Sequence, residues 1–144
     1  MRMVREIQPG ESHIAAAALI ELRTHFESVE ALTARIDLQR ETGYRIAASL
    51  EGDEAAAVAG FRVNETTFAG RMLYVDDLVA RSKFRRRGHA DKVMVWVEEE
   101  ARRLECDQLH LDSGVGADRQ DAHRFYFNHG MRIASYHFAR PLER

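Results

Sequence analysis

The sequence predicts a mixed, mostly antiparallel β-sheet flanked by helices, in one α/β (α+β) domain. Apolar periodicity switches along the chain and sets out the elements in the order β-α-α-β-β-β-α-β-α-β. The 144 residues suit a single hydrophobic core. The two prolines, Pro9 and Pro141, lie near the ends, and no repeat, low-complexity run or Pro/Gly/Ser-rich linker divides the rest. Residues 1–144 are therefore expected to form one domain.

Residues 3–8 read as a short opening strand. Pro9-Gly10-Glu11-Ser12 starts a helix, with Ser12 as the expected N-cap, and an Ala-rich helix runs to about Arg23. A second helix spans Ser28 to about Gln39 and stops at Gly43. Tyr44 to Leu50 and Ala55 to Val63 are strands of a hairpin turning at Glu51-Gly52-Asp53-Glu54. Arg71 to Ala80 is a third strand of that run. From Ala90 to Leu104, Ala90, Val93, Val97, Ala101 and Leu104 recur at spacings of three and four and mark one face of a helix. The opposite face carries Glu98/Arg102 and Glu99/Arg103 at i,i+4. Gln108 to Leu111 reads as a buried-type strand. Asp121 to His129 is a short helix stopped by Gly130, and Met131 to Phe138 is a last strand at a sheet edge.

Apolar residues make up 45% and charged residues 31%, the balance of an ordinary soluble globular protein. A net charge of -2 gives no sign of nucleic-acid or membrane binding. The single cysteine, Cys106, forms no internal disulfide and no multi-Cys zinc site. No apolar run approaches the ~20 residues that span a bilayer. The first residues lack the layout of a signal peptide, so the expected location is cytoplasmic.

The strongest constellation is a strand, a turn and a helix start. The strand ends Tyr74-Val75-Asp76-Asp77-Leu78-Val79-Ala80. The turn Arg81-Ser82-Lys83-Phe84 follows, and Arg85-Arg86-Arg87-Gly88-His89-Ala90 opens the helix. The first N–H groups of a helix have no intrahelical acceptor, and the helix dipole favours an anion there. Gly88 and the small Ala90 let a phosphate approach the backbone, and the arginines add positive charge. A diphosphate suits such a site.

On these residues the chain resembles the GNAT superfamily of N-acetyltransferases. Arg85-x-x-Gly88-x-Ala90 matches its Arg/Gln-x-x-Gly-x-Gly/Ala acyl-CoA motif. Downstream, Ala122-His123-Arg124-Phe125-Tyr126-Phe127-Asn128-His129-Gly130-Met131 is similar to the family's Ala-x-x-Phe/Leu-Tyr-x-x-x-Gly-Phe segment. The resemblance covers residues 44–138 by motif and residues 1–43 by element order. It implies that the backbone of Arg85, Arg86, Arg87, Gly88, His89 and Ala90 cradles the pyrophosphate of acetyl-CoA. It implies also that Leu78, Val79 and Ala80 bind the pantetheine arm through main-chain groups. Arg119 stands where members often carry an Asn that contacts the pantetheine, and Met131 replaces the usual Phe. Members often dimerise, so a homodimer is compatible with the resemblance.

Acyl transfer to an amine needs a base, a polarised carbonyl and a proton for the leaving thiolate. An alkylamine with a pKa of about 10.4 arrives protonated. In the family a Glu commonly aligns with Asp76, so Asp76 is the first choice of base and Asp77 the second. Neighbours on a strand face opposite sides, so one of the two is expected to face the site. An Asp is shorter than a Glu and favours a water relay. Tyr126, by the resemblance, reaches the thioester sulfur and serves as general acid. A strand N–H near Val79 polarises the carbonyl.

No metal is expected, since His110 and Asp112, or His123 and His129, do not complete a compact ligand set. The helix–loop segment from Thr24 to Arg40, with His25, Phe26 and Glu27, is expected to overhang the cleft, and Glu27, Glu30 and Asp76 would attract a cationic amine. A polyamine, an amino acid, an aminoglycoside and a protein N-terminus all fit this pattern. The rival reading is a non-catalytic acyl-CoA-binding sensor or regulatory domain.

Overall fold

In the computed structural model, which describes residues 2–144, the first strand β1 (Arg2–Glu6) leads into two helices, α1 (Ser12–Leu19) and α2 (Val29–Arg40). Three long strands follow, β2 (Arg45–Glu51), β3 (Glu54–Thr66) and β4 (Gly70–Ala80). A short 3₁₀ turn at Ser82–Phe84 precedes helix α3 (His89–Arg103), then strand β5 (Gln108–Leu111). A second 3₁₀ turn (Ala117–Arg119) precedes helix α4 (Gln120–Asn128). The chain divides into two compact units, one reaching to His110 and one spanning Leu111–Arg144.

The sheet order is β1-β2-β3-β4-β5, with the first three pairings antiparallel. Strands β4 and β5 are joined through α3, the crossover that a parallel neighbour requires, so the sheet is mixed but mostly antiparallel. Side-chain alternation on β2 shows how both faces are covered. Ile46, Ala48 and Leu50 join the core formed with Ala15, Leu19, Leu32 and Ile36 of α1 and α2. Arg45 and Ser49, on the other face, bond Glu100 and His89 of α3. A strand buried on both faces reads as a continuous apolar run, and β3 carries one in Ala55–Phe61.

Three expectations about elements need correction. Ser12 is the first helical residue of α1 and does not cap it; the N-cap position is Glu11. The Ser12 hydroxyl is buried, donating to Asp37 Oδ1 at 2.6 Å and accepting from Arg40 Nε at 2.9 Å, so it pins α1 to α2. Ser28, by contrast, caps α2 with Oγ accepting from Ala31 N–H at 3.0 Å. Helix α1 also stops at Leu19, and residues 20–23 continue as turns. Finally, residues 131–144 hold no strand. A strand exists only where a neighbouring backbone completes its ladder, and local composition cannot supply one. Ile133, Tyr136 and Phe138 in this stretch are 75%, 86% and 91% exposed.

Candidate active site

The turn that opens α3 leaves the first N–H groups of the helix without an intrahelical acceptor. Gly88 occupies the N-cap position in the left-handed region, at φ 79°, with no side chain capping the helix. Arg86 also adopts a positive φ, 65°, which is costly for a non-glycine residue. With Arg85 extended and both Arg86 and Gly88 left-handed, the backbone turns into the start of α3, where these N–H groups lie. A Cβ at Gly88 would meet no protein atom within 4 Å, so the surface above it is open to an approaching group.

The cations of the turn divide into two sets. Arg81 and Lys83 pair with Glu54, Arg81 also with Glu21, and Arg87 pairs with Glu51. All three lie over the ring of Phe84. Arg85 and Arg86, among the described residues, have no acidic partner and are exposed.

His89 faces the other way. Its ring is 2% exposed, with Nδ1 2.6 Å from Ser49 Oγ and Nε2 2.7 Å from Glu51. Any contact from His89 to an anion at the turn therefore comes from its backbone N–H. Glu51 holds both Arg87 and His89, so the β2–β3 hairpin fixes the turn from below. These contacts keep its carboxyl below the ordinary range, the His89 hydrogen bond first among the causes.

Strand β4 carries the next part of the site. Asp107 N–H donates to Arg71 O at 2.6 Å, and β5 runs only four residues from there. At strand spacing it flanks β4 as far as about Val75. The β5-side edge at Leu78, Val79 and Ala80 lies beyond it, while their other edge pairs with β3.

Asp76 and Asp77 both face the same cavity, and the expectation that only one would do so is overturned. The reason is a β-bulge. Gly60 pairs with Asp77 and Phe61 with Val75, so Asp76 is an extra residue on β4 and the alternation slips there. The carbonyl of Asp76, released from the ladder, accepts from Arg23 at 3.0 Å.

Asp77 is fully engaged. Its Oδ1 accepts from Arg23 Nε at 2.7 Å, and its Oδ2 accepts from the Tyr44 hydroxyl at 2.7 Å. Tyr44 is 2% exposed, and burial, together with the Asp77 charge, pushes its phenol well above the ordinary value. It reaches Asp77 across Gly60, where a Cβ would lie 1.7 Å from the Tyr44 hydroxyl. Asp76 has one partner, Arg62, at 3.0 and 3.2 Å. Burial raises its carboxyl above the ordinary range, with Arg62 opposing. Arg23, Tyr44 and Arg62 were absent from the sequence-based site. The one local signal was Gly60 inside an apolar strand, which marks a close approach.

The cavity beside these aspartates measures about 390 Å³ and lies within the first unit. Its far wall comes from the segment expected to overhang the cleft, through His25, Phe26, Arg35 and Gln39. Glu27 and Glu30 do not line it.

Tyr126 belongs to the second unit, on α4. Its ring packs edge-on against Phe125 at 5.7 Å. Burial raises its phenol pKa, and the Arg119 guanidinium works in the opposite direction. In the same unit, His123 Nε2 lies 2.7 Å from Gly114 O, and His137 pairs with Asp112 at 3.4 Å. The hydroxyl of Ser113 is, among the described residues, the buried side-chain polar atom that lacks a partner. Cys106 is half-buried, and burial raises its thiol, which makes it a poor nucleophile. Among the described residues no three His, Cys, Asp or Glu side chains could hold a metal, and no helix is long and apolar enough to cross a membrane.

Comparison with known proteins bears on this geometry. The model of the Acetyltransferase (GNAT) family matches residues 14–131. A search of curated protein sequences found no match. Among solved structures, the fold is similar to a transcriptional regulator from Bacillus halodurans C-125, at TM-score 0.80 and 18% identity, covering 99% of this chain and 100% of that one. It is similar to aminoglycoside N-acetyltransferase AAC(6')-Iy in complex with CoA, at TM-score 0.79 and 10% identity over 100% of this chain and 96% of that one. It is similar also to glucosamine-6-phosphate N-acetyltransferase from Arabidopsis thaliana, at TM-score 0.77 and 18% identity, with 99% of each chain covered. These identities speak for the fold; the family match covers most of the chain. The chain belongs to the GNAT family of acetyltransferases, enzymes that move an acyl group from an acyl-CoA to an amine.

Proposed function

We propose that residues 1–144 act as one domain that transfers an acetyl group from acetyl-CoA to a primary amine by direct attack. The observation that carries this reading is the turn at Arg85–Ala90, with left-handed Gly88 uncapped at the start of α3 and two cations without acidic partners beside it. The pyrophosphate lies on the backbone of this turn, attracted by Arg85 and Arg86. The pantetheine adds to β4 at Leu78, Val79 and Ala80 as an extra strand would. The acyl group is thereby directed toward the bulge at Asp76.

The amine enters the cavity of the first unit. Asp76 accepts its proton through water, and the amine nitrogen attacks the thioester carbon. A β4 N–H near Val79 stabilises the oxyanion. The C–S bond breaks, Tyr126 gives its proton to the departing thiolate, and the second proton shed by the new amide nitrogen returns the tyrosinate to its phenol through solvent. Burial keeps that phenol protonated at neutral pH, which is the state an acid needs. Asp77 positions rather than reacts, because Arg23 and Tyr44 occupy its oxygens.

Calorimetric titration with acetyl-CoA tests the donor site. Micromolar-range binding is expected, and Gly88→Glu is expected to abolish it while the far-ultraviolet spectrum stays native. Unchanged affinity in that variant would move acetyl-CoA away from the turn. Binding without transfer to any amine in a broad panel would favour the sensor reading.

A further inference from the structure

The cavity beside Asp76 and Asp77 has a charge pattern that selects among amines. Two carboxylates line it, and each already faces a guanidinium: Asp77 has Arg23, and Asp76 has Arg62. The acidic wall is therefore neutralised before any substrate arrives. A polyamine, which needs free carboxylates at both ends, finds none.

The opposite wall comes from α2. Residues four apart share a helix face, so Leu32 and Ile36 form one row toward the cavity and Arg35 and Gln39 a second. Leu32 and Ile36 are buried in the core. Arg35 is exposed and, among the described residues, has no hydrogen bond or ion pair. The pocket thus holds one unmatched charge, and it is positive.

Resting on the acetyltransferase reading above, we infer that the acceptor is an amine that also carries an anionic group, a carboxylate or a phosphate, anchored by Arg35. The amine end lies toward Asp76 on β4, and the anionic end lies toward the Arg35–Gln39 row on α2. A guanidinium binds either anion through two parallel N–H donors, and Gln39 adds an amide donor from the next turn. Aminoglycosides and polyamines, whose charged groups are all ammonium, are disfavoured acceptors on this geometry.

Matched acceptor series test the inference. They are the ω-amino carboxylates from glycine to ε-aminocaproate, the n-alkylamines of equal length, the corresponding α,ω-diamines, and phosphoethanolamine. Acetyl-CoA binding is measured by calorimetry in parallel, with wild type and Arg35→Gln, Arg35→Lys and Arg35→Glu. The expected result is that the best anionic acceptor exceeds its plain alkylamine by about tenfold in kcat/KM, the size of one partly exposed charge-assisted contact. Arg35→Gln removes that ratio through KM, Arg35→Lys restores part of it, and Arg35→Glu reverses it in favour of diamines. If acetyl-CoA binds and diamines or plain amines are preferred by the wild type, or the ratio survives Arg35→Gln, the anion anchor is overturned while the acetyltransferase reading stands. If acetyl-CoA does not bind, both fall.

Discussion

Asp76 and Asp77 adjoin in sequence and differ in what holds them. Asp77 accepts from Arg23 and Tyr44, so Asp77→Asn leaves a buried phenol and a guanidinium short of a charged acceptor. A loss of stability of about 1–3 kcal/mol is expected from chemical unfolding. Asp76 has one partner and a carboxyl raised by burial. A raised carboxyl pKa makes a better base. Asp76→Asn is expected to lower kcat about a hundredfold, the lower range for general-base catalysis, with little change in acetyl-CoA affinity. Full turnover in that variant would remove Asp76 from the proton path. The arginines of the turn separate in the same way. Arg85→Ala and Arg86→Ala are each expected to raise the KM for acetyl-CoA several-fold, about the worth of an exposed ion pair. Arg87→Ala, whose guanidinium is already paired with Glu51, is expected to raise it less. Steady-state kinetics at fixed amine concentration reads the order.

At the scale of the element, the bulge in β4 governs the site. It shifts Asp76 out of register, and Gly60 on β3 makes room for Tyr44 to lock the residue that follows. Gly60→Ala places a methyl group into the Tyr44 hydroxyl. The clash is expected to cost about 1–3 kcal/mol and to break the Tyr44–Asp77 bond. A lowered urea midpoint, together with a new Tyr44 environment in near-ultraviolet dichroism, checks it. What the sequence revealed follows the same division. The turn into α3 was legible because its signals are local: a glycine at the helix start beside adjacent cations. Helix α3 was legible because its apolar period is long and regular. The shared direction of Asp76 and Asp77 was not, because a bulge depends on the register of two strands. The hydroxyl of Ser12 was read as a cap because its partners, Asp37 and Arg40, lie on another helix. The strand expected at residues 131–138 rested on its alternation of polar and apolar residues, and alternation does not provide a pairing edge.

Across the whole first unit, one ion network ties the sheet to the helix that carries the turn. Arg45 of β2 bridges Glu6 of β1 and Glu100 of α3, and Arg103 closes on Glu100 at 2.7 Å. The same helix is held at its other end by His89, so α3 is fixed at both ends against β2. Arg103 first, and Arg45 after it, lower the Glu100 carboxyl to about 2 from the ordinary 4.5. A carboxyl whose pKa is depressed on folding contributes stability that is fully present above its unfolded value. That contribution is lost as protons bind the folded form. The window here runs from about pH 5 down to about pH 2. Glu100→Gln should therefore be less stable than wild type at neutral pH, and the gap should narrow steadily through that window. Comparing the two proteins' urea midpoints cancels the other carboxyls that titrate over the same range. A gap that stays constant down to the acid limit would show that Glu100 acts through packing and not through its charge. Because α3 carries the proposed acetyl-CoA turn at its first residue, loosening this network should also weaken acetyl-CoA binding at pH values where the protein remains folded.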